Sequence, residues 1–522
     1  MLFDKNLPPN SLVENRMKKK RASGLVGIFG ILFVFLSLQN QVFAQCDPNE
    51  PECDASLNSP LGYCKVSSSL TLNPGVYTRG IKICASGITL DGNGATLQSS
   101  TISIQGFTNV TIKNFFFNHG IINIQSCSYV TVENCSFNMG PGGFGSFILV
   151  GNSNNIAIIN NQSLLTAPTP EVVVLGGSSF CRIEGNTFNA YYGILLDRSR
   201  KNLVKNNILV HPNPASGGNG IRIGNTPPPV QEDGNLILNN LIIGFSGGIQ
   251  VTGKGPGGIG AHHTVVDDNE INGTGTISGS TGIEVLSDSC FLSRNFIHGY
   301  QNFGVGIRIL GGFASAPQGN RVVLNTLQNN ATGLYENTSS FDSTRVYFNN
   351  FVNNTDQGTA VDFLNYWDAG SLCGGNYWSD FDTPGEGCND VNGDGICDTL
   401  KTENGGPPAD RYPFVTANGW TTGPNPLENC VPFPDVDTCY FDRRADTDGD
   451  ALPDCWESEG YDHNGDSIVD VDLPSMGANP LRKDIFVETD RMAAGGGEVQ
   501  SHYPSVAALN MVINSFANAP VN

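Results

Sequence analysis

Acidic side chains at alternate positions are the sharpest chemical signal in this sequence. Between Asp446 and Glu457, carboxylates fall at Asp446, Asp448, Asp450, Asp454 and Glu457, and the carbonyl of Leu452 falls among them. Calcium takes six to eight oxygens, and this spacing wraps them round a single ion. Carboxylates this close repel one another when no cation lies between them. Ala451 stands where such a loop usually carries glycine, so a full helix-flanked hand is not expected. A second run repeats the early positions with Asp462, Asn464, Asp466, the Ile468 carbonyl and Asp470; its twelfth position is Leu473, with Asp472 as the available substitute. A third run is Asp390, Asn392, Asp394, Ile396 and Asp398, with Lys401 at position twelve. The cofactor these three runs imply is Ca2+.

A second constellation is spread along the chain. Leu195, Arg222, Gln250, Glu284, Arg308 and Tyr335 occupy equivalent places in successive short apolar segments. One reading is cross-strand charge pairing, each pair worth a fraction of a kcal/mol. The other is a sugar-binding stripe, in which Arg222, Gln250, Glu284, Arg308 and Tyr335 offer hydrogen bonds and a stacking ring. Catalysis on such a stripe has two forms. A polysaccharide lyase would use Arg222 or Arg308 as its base beside Glu284, with acidic groups holding calcium. A glycoside hydrolase needs two carboxylates roughly 5 to 10 Å apart, for which Asp267 with Asp268, or Asp197 with Glu184, are the candidates. No local motif singles out either arrangement. Zinc-peptidase chemistry has no His-Glu-x-x-His to rest on. Apart from His262-His263 the histidines are scattered, and the methionines do not cluster, so a soft-metal site is not indicated.

The elements that position these residues are repeats. From about Thr111 to Val352 a short pattern recurs: a branched apolar residue, a variable one, a polar residue, Asn, one residue, then an aromatic or aliphatic. Ile183 to Phe188 and Val204 to Leu209 are copies. A second short strand, usually opened by glycine, lies between copies, as at Gly220-Ile221-Arg222-Ile223. Aligned on Ile112, Val132, Ile158, Ile183, Val204, Ile237, Val266, Leu292, Val322 and Val346, the copies are spaced by 20 to 33 residues. A coil of a parallel β-helix needs about twenty, so the longer intervals carry loops, most of them between Ile183 and Val322. The expected fold is therefore all-β, a right-handed single-stranded parallel β-helix. One column reads Asn161, Asn186, Asn207, Asn240, Asn269, Asn295, Asn325 and Asn349, with Cys135 in the same place on an earlier coil. Inward amides at a bend can bond to their equivalents about 4.8 Å away, so this column is read as structural.

The chain of 522 residues carries a formal net charge of -21. That balance disfavours nucleic acid, which needs a basic surface. Lys18 to Arg21, an apolar run from about Gly24 to Leu38, and Val42-Phe43-Ala44 read as a secretory signal cut after Ala44. No later stretch reads as a membrane span. Fourteen cysteines fit an oxidising compartment. Those before and after the repeats are expected to clamp the open ends, whereas Cys127, Cys135, Cys181 and Cys290 sit inside the repeats as small hydrophobes. The expected organisation is a signal at 1–44, an N-terminal cap with first coils at 45–109, the β-helix at 110–372, and a C-terminal cap at 373–415. A linker at 416–429, calcium-binding repeats at 430–473 and a strand–helix segment at 474–522 follow.

Residues 110–414 resemble right-handed parallel β-helix proteins of the carbohydrate-binding and sugar-hydrolase type, including the β-helix domain of the periplasmic copper-insertion accessory protein. The end signature of that group resembles Gly375 to Asp380, then Asn392 to Ile396, then Tyr412-Pro413-Phe414. Residues 446–472 resemble the thrombospondin type 3 calcium repeats of secreted and adhesive proteins. Residues 474–522 are similar to the lead-in of a domain found in large secreted bacterial proteins. These resemblances imply a secreted, cell-surface or periplasmic protein whose partners are polysaccharides or other glycans, with other surface proteins as further partners. Three functions are open: a non-catalytic binding or adhesion protein, a lyase or hydrolase acting on the helix flank, or the N-terminal part of a larger secreted enzyme.

Overall fold

The computed structural model describes residues 46–47, 49–56, 62–139, 146–165, 171–224, 234–252, 261–273, 277–310, 319–337, 344–360, 366–403, 406–421, 430–431, 448, 452, 454–461, 469 and 471–484. Among the described residues, each coil contributes three short strands. Equivalent strands pair in parallel along the chain to build three sheets. Sheet A has 13 strands, from Tyr63–Val66 to Asp356–Ala360; sheet B has 12, from Leu70–Thr71 to Arg345–Tyr347; sheet C has 13, from Val76–Tyr77 to Tyr377–Trp378. The winding is right-handed, the hand that right-twisted strands impose on parallel crossovers. The expected fold class is the one observed.

The registers explain the repeat. Ile158, Ile183, Val204, Ile237, Val266, Leu292, Val322 and Val346 are Cα partners down sheet B, and all are buried. Sheet C contributes stacked rings to the same core, with Phe117 over Phe137 at 4.8 Å and Phe351 over Trp378 at 4.3 Å between centroids. The glycine that opens many sheet A strands answers a spatial demand. A Cβ on Gly248 would stand 2.4 Å from the Gly282 carbonyl oxygen, and one on Gly282 would stand 2.6 Å from that of Gly306. Side chains cannot occupy that column without forcing the coils apart.

The paired polar positions of the repeat do two different jobs. The first adopts the left-handed conformation: φ is +55° at Asn206, +50° at Asn239 and +54° at Asp268. Asn and Asp tolerate this better than other side-chain-bearing residues, and it turns the chain from sheet B into sheet C. The second points inward and forms the ladder. Asn186 Oδ1 accepts the Asn161 backbone N–H at 2.8 Å and its Nδ2 at 3.1 Å, and Asn207 Oδ1 serves Asn186 in the same way. The pattern continues through Asn240, Asn269, Asn295, Asn325 and Asn349 to Asn376. In each rung the backbone N–H and Nδ2 reach the Oδ1 of the next coil, while Nδ2 also donates back to a carbonyl of the coil before, as Asn186 does to Ile158 at 2.9 Å, so the asparagine-to-asparagine bonds have a direction. The ladder begins at Cys135, whose N–H bonds Asn161 Oδ1 at 2.9 Å. Shorter runs of the same kind start at Cys181 on Asn202 and at Cys290 on Asn320. A serine run links Cys127, Ser153, Ser178 and Ser199. The four cysteines are free and buried.

Both ends are clamped. Cys46–Cys84 and Cys53–Cys64 hold the first coil, and Cys373–Cys430 and Cys388–Cys397 hold the last. A two-stranded antiparallel hairpin, Lys401–Glu403 with Gly406–Asp410, belongs to the C-terminal cap. Residues 416–421, expected to open the linker, are packed: Trp420 is buried and stacks on Phe348, and Asn418 exchanges hydrogen bonds with Asn350. Cys430, expected to open the calcium region, is tied to the cap by its disulfide. The chain divides into two compact units at Pro434 and Asp435. In the second, the helix Asp454–Glu459 carries Trp456 against Tyr461, which bridges to Val471. No described helix is long and apolar enough to cross a membrane. The signal segment, residues 422–429 and residues 485–522 lie outside the described residues.

Candidate functional site

The expected stripe assembles on the outer face of sheet A. Arg222, Gln250, Glu284, Arg308 and Tyr335 are Cα partners on consecutive coils, and Thr359 follows them. Four coil steps at the sheet spacing of about 4.8 Å make a stripe about 19 Å long. Its side chains are joined. Gln250 Nε2 donates to Glu284 Oε2 at 2.7 Å, and Arg308 Nη1 donates to Glu284 Oε1 at 3.4 Å. Asn219 Nδ2 donates to Gln250 Oε1 at 3.3 Å. Glu284 and Arg308 are mostly shielded, with side chains 19% and 18% exposed, so their attraction is less screened than that of a surface pair. Both carboxylate oxygens of Glu284 are engaged, which fixes the rotamers of the residues on either side.

Leu195 departs from the expected outward display. It holds the equivalent register one coil earlier but is only 1% exposed, packed with Leu149 and Val174 in a small cluster of its own. The polar stripe therefore begins at Arg222. Asn219, Asp356 and Thr359 extend it and were not singled out from the sequence. Asn219 stands three residues before Arg222 on the same strand, a spacing set by the inward Gly220 and Ile221. Asp356 and Thr359, hydrogen-bonded to each other, lie where the repeat pattern has faded.

Chain order puts the long connections beside this stripe. Those leaving sheet A run through residues 224–235, 252–264, 311–320 and 338–344; on the early coils the same connection is only residues 106–107 or 126–127. Those entering sheet A run through 211–218, 273–280 and 299–304. The stripe is thus the stretch of sheet A with long connections at both of its edges, where sequence insertions most often build binding faces.

The carboxylate pairs considered for hydrolysis are not presented as pairs. Glu184 lies on sheet B, where it is 3.5 Å from Arg182 Nε, whereas Asp197 lies on sheet A, fully buried and 3.0 Å from Arg198 Nε. Asp267 is held by Ser293 and Arg294. Asp268, in the following turn, lines a separate cleft of about 260 Å3 with Glu270, Arg294 and Phe296. His262 is 3.6 Å from Asp288.

The 390–398 loop is described in full. Asp390 accepts the backbone N–H groups of Gly393, Asp394 and Gly395, Asp394 accepts that of Ile396, and Asp398 accepts that of Val391. Its carboxylates thus fold the loop by bonding to the backbone. Among the described residues no three His, Cys, Asp or Glu side chains gather as a metal cage. Of the 446–457 run, Asp448, Leu452, Asp454 and Glu457 are described; Asp446, Asp450 and the residues Asp462, Asn464, Asp466, Ile468 and Asp470 lie outside the described residues.

Residues 210–383, which include the stripe, match the family described as periplasmic copper-binding protein (NosD). No curated protein matches the chain. Several solved structures share its fold at low identity. A mutant of the periplasmic alginate epimerase AlgG is 15% identical, covering 56% of this chain and 77% of its own, with a TM-score of 0.44. A mannuronic-acid-specific polysaccharide family 6 lyase from human gut microbiota is 14% identical, covering 61% and 82%, with a TM-score of 0.42. A tailspike protein mutant of E. coli bacteriophage HK620, solved with a pentasaccharide, is 12% identical, covering 59% and 69%, with a TM-score of 0.39. At these identities the likeness is one of fold.

Proposed function

We propose that this is an exported protein that holds a polysaccharide chain along the outer face of sheet A and cleaves it there by β-elimination. The observation that carries the reading is the unbroken register Arg222, Gln250, Glu284, Arg308, Tyr335, with Glu284 bonded on both sides. A linear polymer laid along such a stripe meets one side chain of the column at each coil. In a chain as acidic as this one, two arginines on the stripe favour a carboxylated polymer over a neutral one.

Elimination beside a uronic carboxylate removes the proton on the adjacent carbon, forms a double bond and expels the glycosidic oxygen. Neutralising that carboxylate makes the proton easier to remove, and Arg222 and Arg308 supply permanent positive charge for the purpose. Guanidinium does not deprotonate in proteins, so neither arginine is the base. Tyr335, one coil beyond Arg308, is the stripe residue suited to carry a proton between ring carbon and leaving oxygen. Glu284 is a positioning residue for Arg308 and Gln250. Hydrolysis fits this stripe less well, because Glu284 is flanked in its column by Gln250 and Arg308 instead of a second carboxylate.

A second reading is glycan binding without turnover. The saturated Glu284 carboxylate favours it, since a fully bonded polar network is also a finished binding surface. Calcium belongs to either reading as a stiffener of the runs 390–398, 446–457 and 462–470, on the strength of their oxygen spacing. Incubation with uronate-containing polysaccharides, with and without calcium, separates the readings. Unsaturated ends that absorb in the ultraviolet support elimination. Saturable binding with no new ends supports the second reading. Absence of both sinks the assignment of sheet A.

A further inference from the structure

A second cavity lies away from the stripe, at the C-terminal end of sheet B. It has a volume of about 280 Å3, and Arg345, Tyr347, Tyr366, Asp368, Arg411 and Cys430 are among its lining residues. Sheet B positions the first of these: Arg321 and Arg345 are Cα partners on adjacent coils, and Tyr366 bridges to Arg345 on the next. The floor is fixed. Tyr347 is buried and its hydroxyl donates to the Cys430 carbonyl at 3.4 Å, while the Cys373–Cys430 disulfide ties that wall to the cap.

The charge balance of the cavity is uneven. Arg411 and Asp368 cancel each other through a two-pronged pair, Nε to Oδ2 at 2.8 Å and Nη2 to Oδ1 at 2.7 Å. Asp368 is nearly fully buried in that pair, with a side chain 2% exposed. Arg345 is exposed and, among the described residues, has no carboxylate within ion-pair distance; its guanidinium instead lies 6.0 Å from the centre of the Tyr366 ring. That ring is itself 54% exposed.

We propose that this cavity is a binding site for a single carboxylated sugar unit, with the carboxylate on Arg345 and the apolar face of the sugar ring on Tyr366. A guanidinium fork matches a carboxylate in two parallel hydrogen bonds. An open tyrosine ring offers a flat apolar surface with a polar edge. The volume is below that of ordinary drug-sized pockets, which suits one monosaccharide and not a chain. The choice of a sugar as carrier of the carboxylate rests on the polysaccharide reading above. The position is separate from sheet A, so the two can fail independently.

The test uses the full chain and glucuronate as probe, with glucose and an acidic peptide as comparators, read by titration calorimetry. Glucuronate should bind saturably and glucose should bind at least about tenfold more weakly, a difference of about 1.4 kcal/mol. Arg345→Gln and Tyr366→Ala should each weaken glucuronate at least about tenfold while polysaccharide binding or cleavage on sheet A is unchanged. Glu284→Gln should leave glucuronate binding intact. Equal binding of glucose, equal or tighter binding of the peptide, no binding of glucuronate, or binding indifferent to Arg345→Gln would each overturn the proposal. Loss of polymer binding with glucuronate binding retained would instead count against the sheet A assignment alone.

Discussion

Asp410 Oδ2 accepts the backbone N–H of Asn376 at 2.6 Å and also the Asn376 Nδ2 at 3.3 Å. The asparagine ladder ends on this carboxylate. The last rung has no further asparagine to meet: its backbone N–H relies on this carboxylate, while its Nδ2 also donates to the Val346 and Trp367 carbonyls at 2.9 and 2.7 Å. A carboxylate is all acceptor and can take both donors. Trp378 Nε1 adds a third donor to the same oxygen at 2.9 Å, and Tyr412 N–H bonds the other at 3.1 Å. Asp410→Ala would leave buried donors unsatisfied at the end of the last coil, at a cost of about 1–3 kcal/mol each before relaxation. Hydrogen exchange should show early loss of protection at residues 376–378 while sheets A to C near Ile183 stay protected. Uniform loss along the coils would contradict a role confined to the cap.

The same carboxylate makes the cap sensitive to pH. Burial pushes Asp410 up to about 7, against the opposing hydrogen bonds from Trp378, Asn376 and Tyr412, and the nearby Asp368 charge adds to the rise. A folded-state value above the unfolded one means the folded form holds a proton the unfolded form has released. Stability from this group is therefore full below about pH 4 and falls as pH rises through about 7. Urea midpoints of the cap, measured across that window, should fall toward neutral pH. Asp410→Asn should flatten the slope; an equal slope in the variant would show that Asp410 is not its source.

The close approach of the carboxylate depends on Gly375. A Cβ there would stand 1.9 Å from Asp410 Oδ1, closer than any real contact. Gly375→Ala should lower cap stability by about 1–3 kcal/mol, the usual range for overpacking, seen as an earlier melt of Trp367 and Trp378 fluorescence. A substitution that leaves the melt unchanged would mean the hairpin does not sit against the last coil.

Inside the ladder the cost should be of another kind. Asn240 accepts the Asn207 N–H, donates to Asn269 Oδ1 and bonds the Val204 and Leu238 carbonyls. Asn240→Ala strands several buried groups at once, and about 2–4 kcal/mol of destabilisation is expected. Chemical denaturation checks this. A change near zero would mean the column is replaceable packing.

The ladder, the alternating faces and the register were legible in the sequence because one residue per coil occupies each environment, so chemistry repeats with the period. Asn161 through Asn349 could be aligned on that basis. Asn376 fits only the second half of the repeat, as Asn376-Tyr377-Trp378, because Cys373 stands where the branched apolar residue is expected, and Asp410 arrives from a hairpin outside the repeat. Leu195 shares the register of Arg222, and alternation alone gave no sign that its outward side would be covered. The serine run from Ser153 to Ser199 was missed because serine is common in turns and carries no periodic surprise. Of the site, the column Arg222 to Tyr335 was readable; its extension to Asn219 was not, because Gly220 shifts the alternation by one.

The acidic runs make a separate claim. If they hold calcium, adding it should raise the protease resistance of the segment from Asp435 onward, and a chelator should reverse this, with Asp446→Asn weakening the response several-fold. Proteolysis patterns identical with and without calcium would remove the ion from the account.

The most direct measurement of the central claim is the rate at which unsaturated ends appear when uronate-containing polysaccharides are incubated with the protein and with Arg308→Ala, Tyr335→Phe and Glu284→Gln. Elimination on sheet A predicts product with the unaltered protein and rates at least about a hundredfold lower for Tyr335→Phe, the scale on which a lost proton-transfer group is felt. Arg308→Ala should also lose rate, and Glu284→Gln should lose less. Product formation that survives all three substitutions unchanged would contradict the placing of the reaction on this stripe.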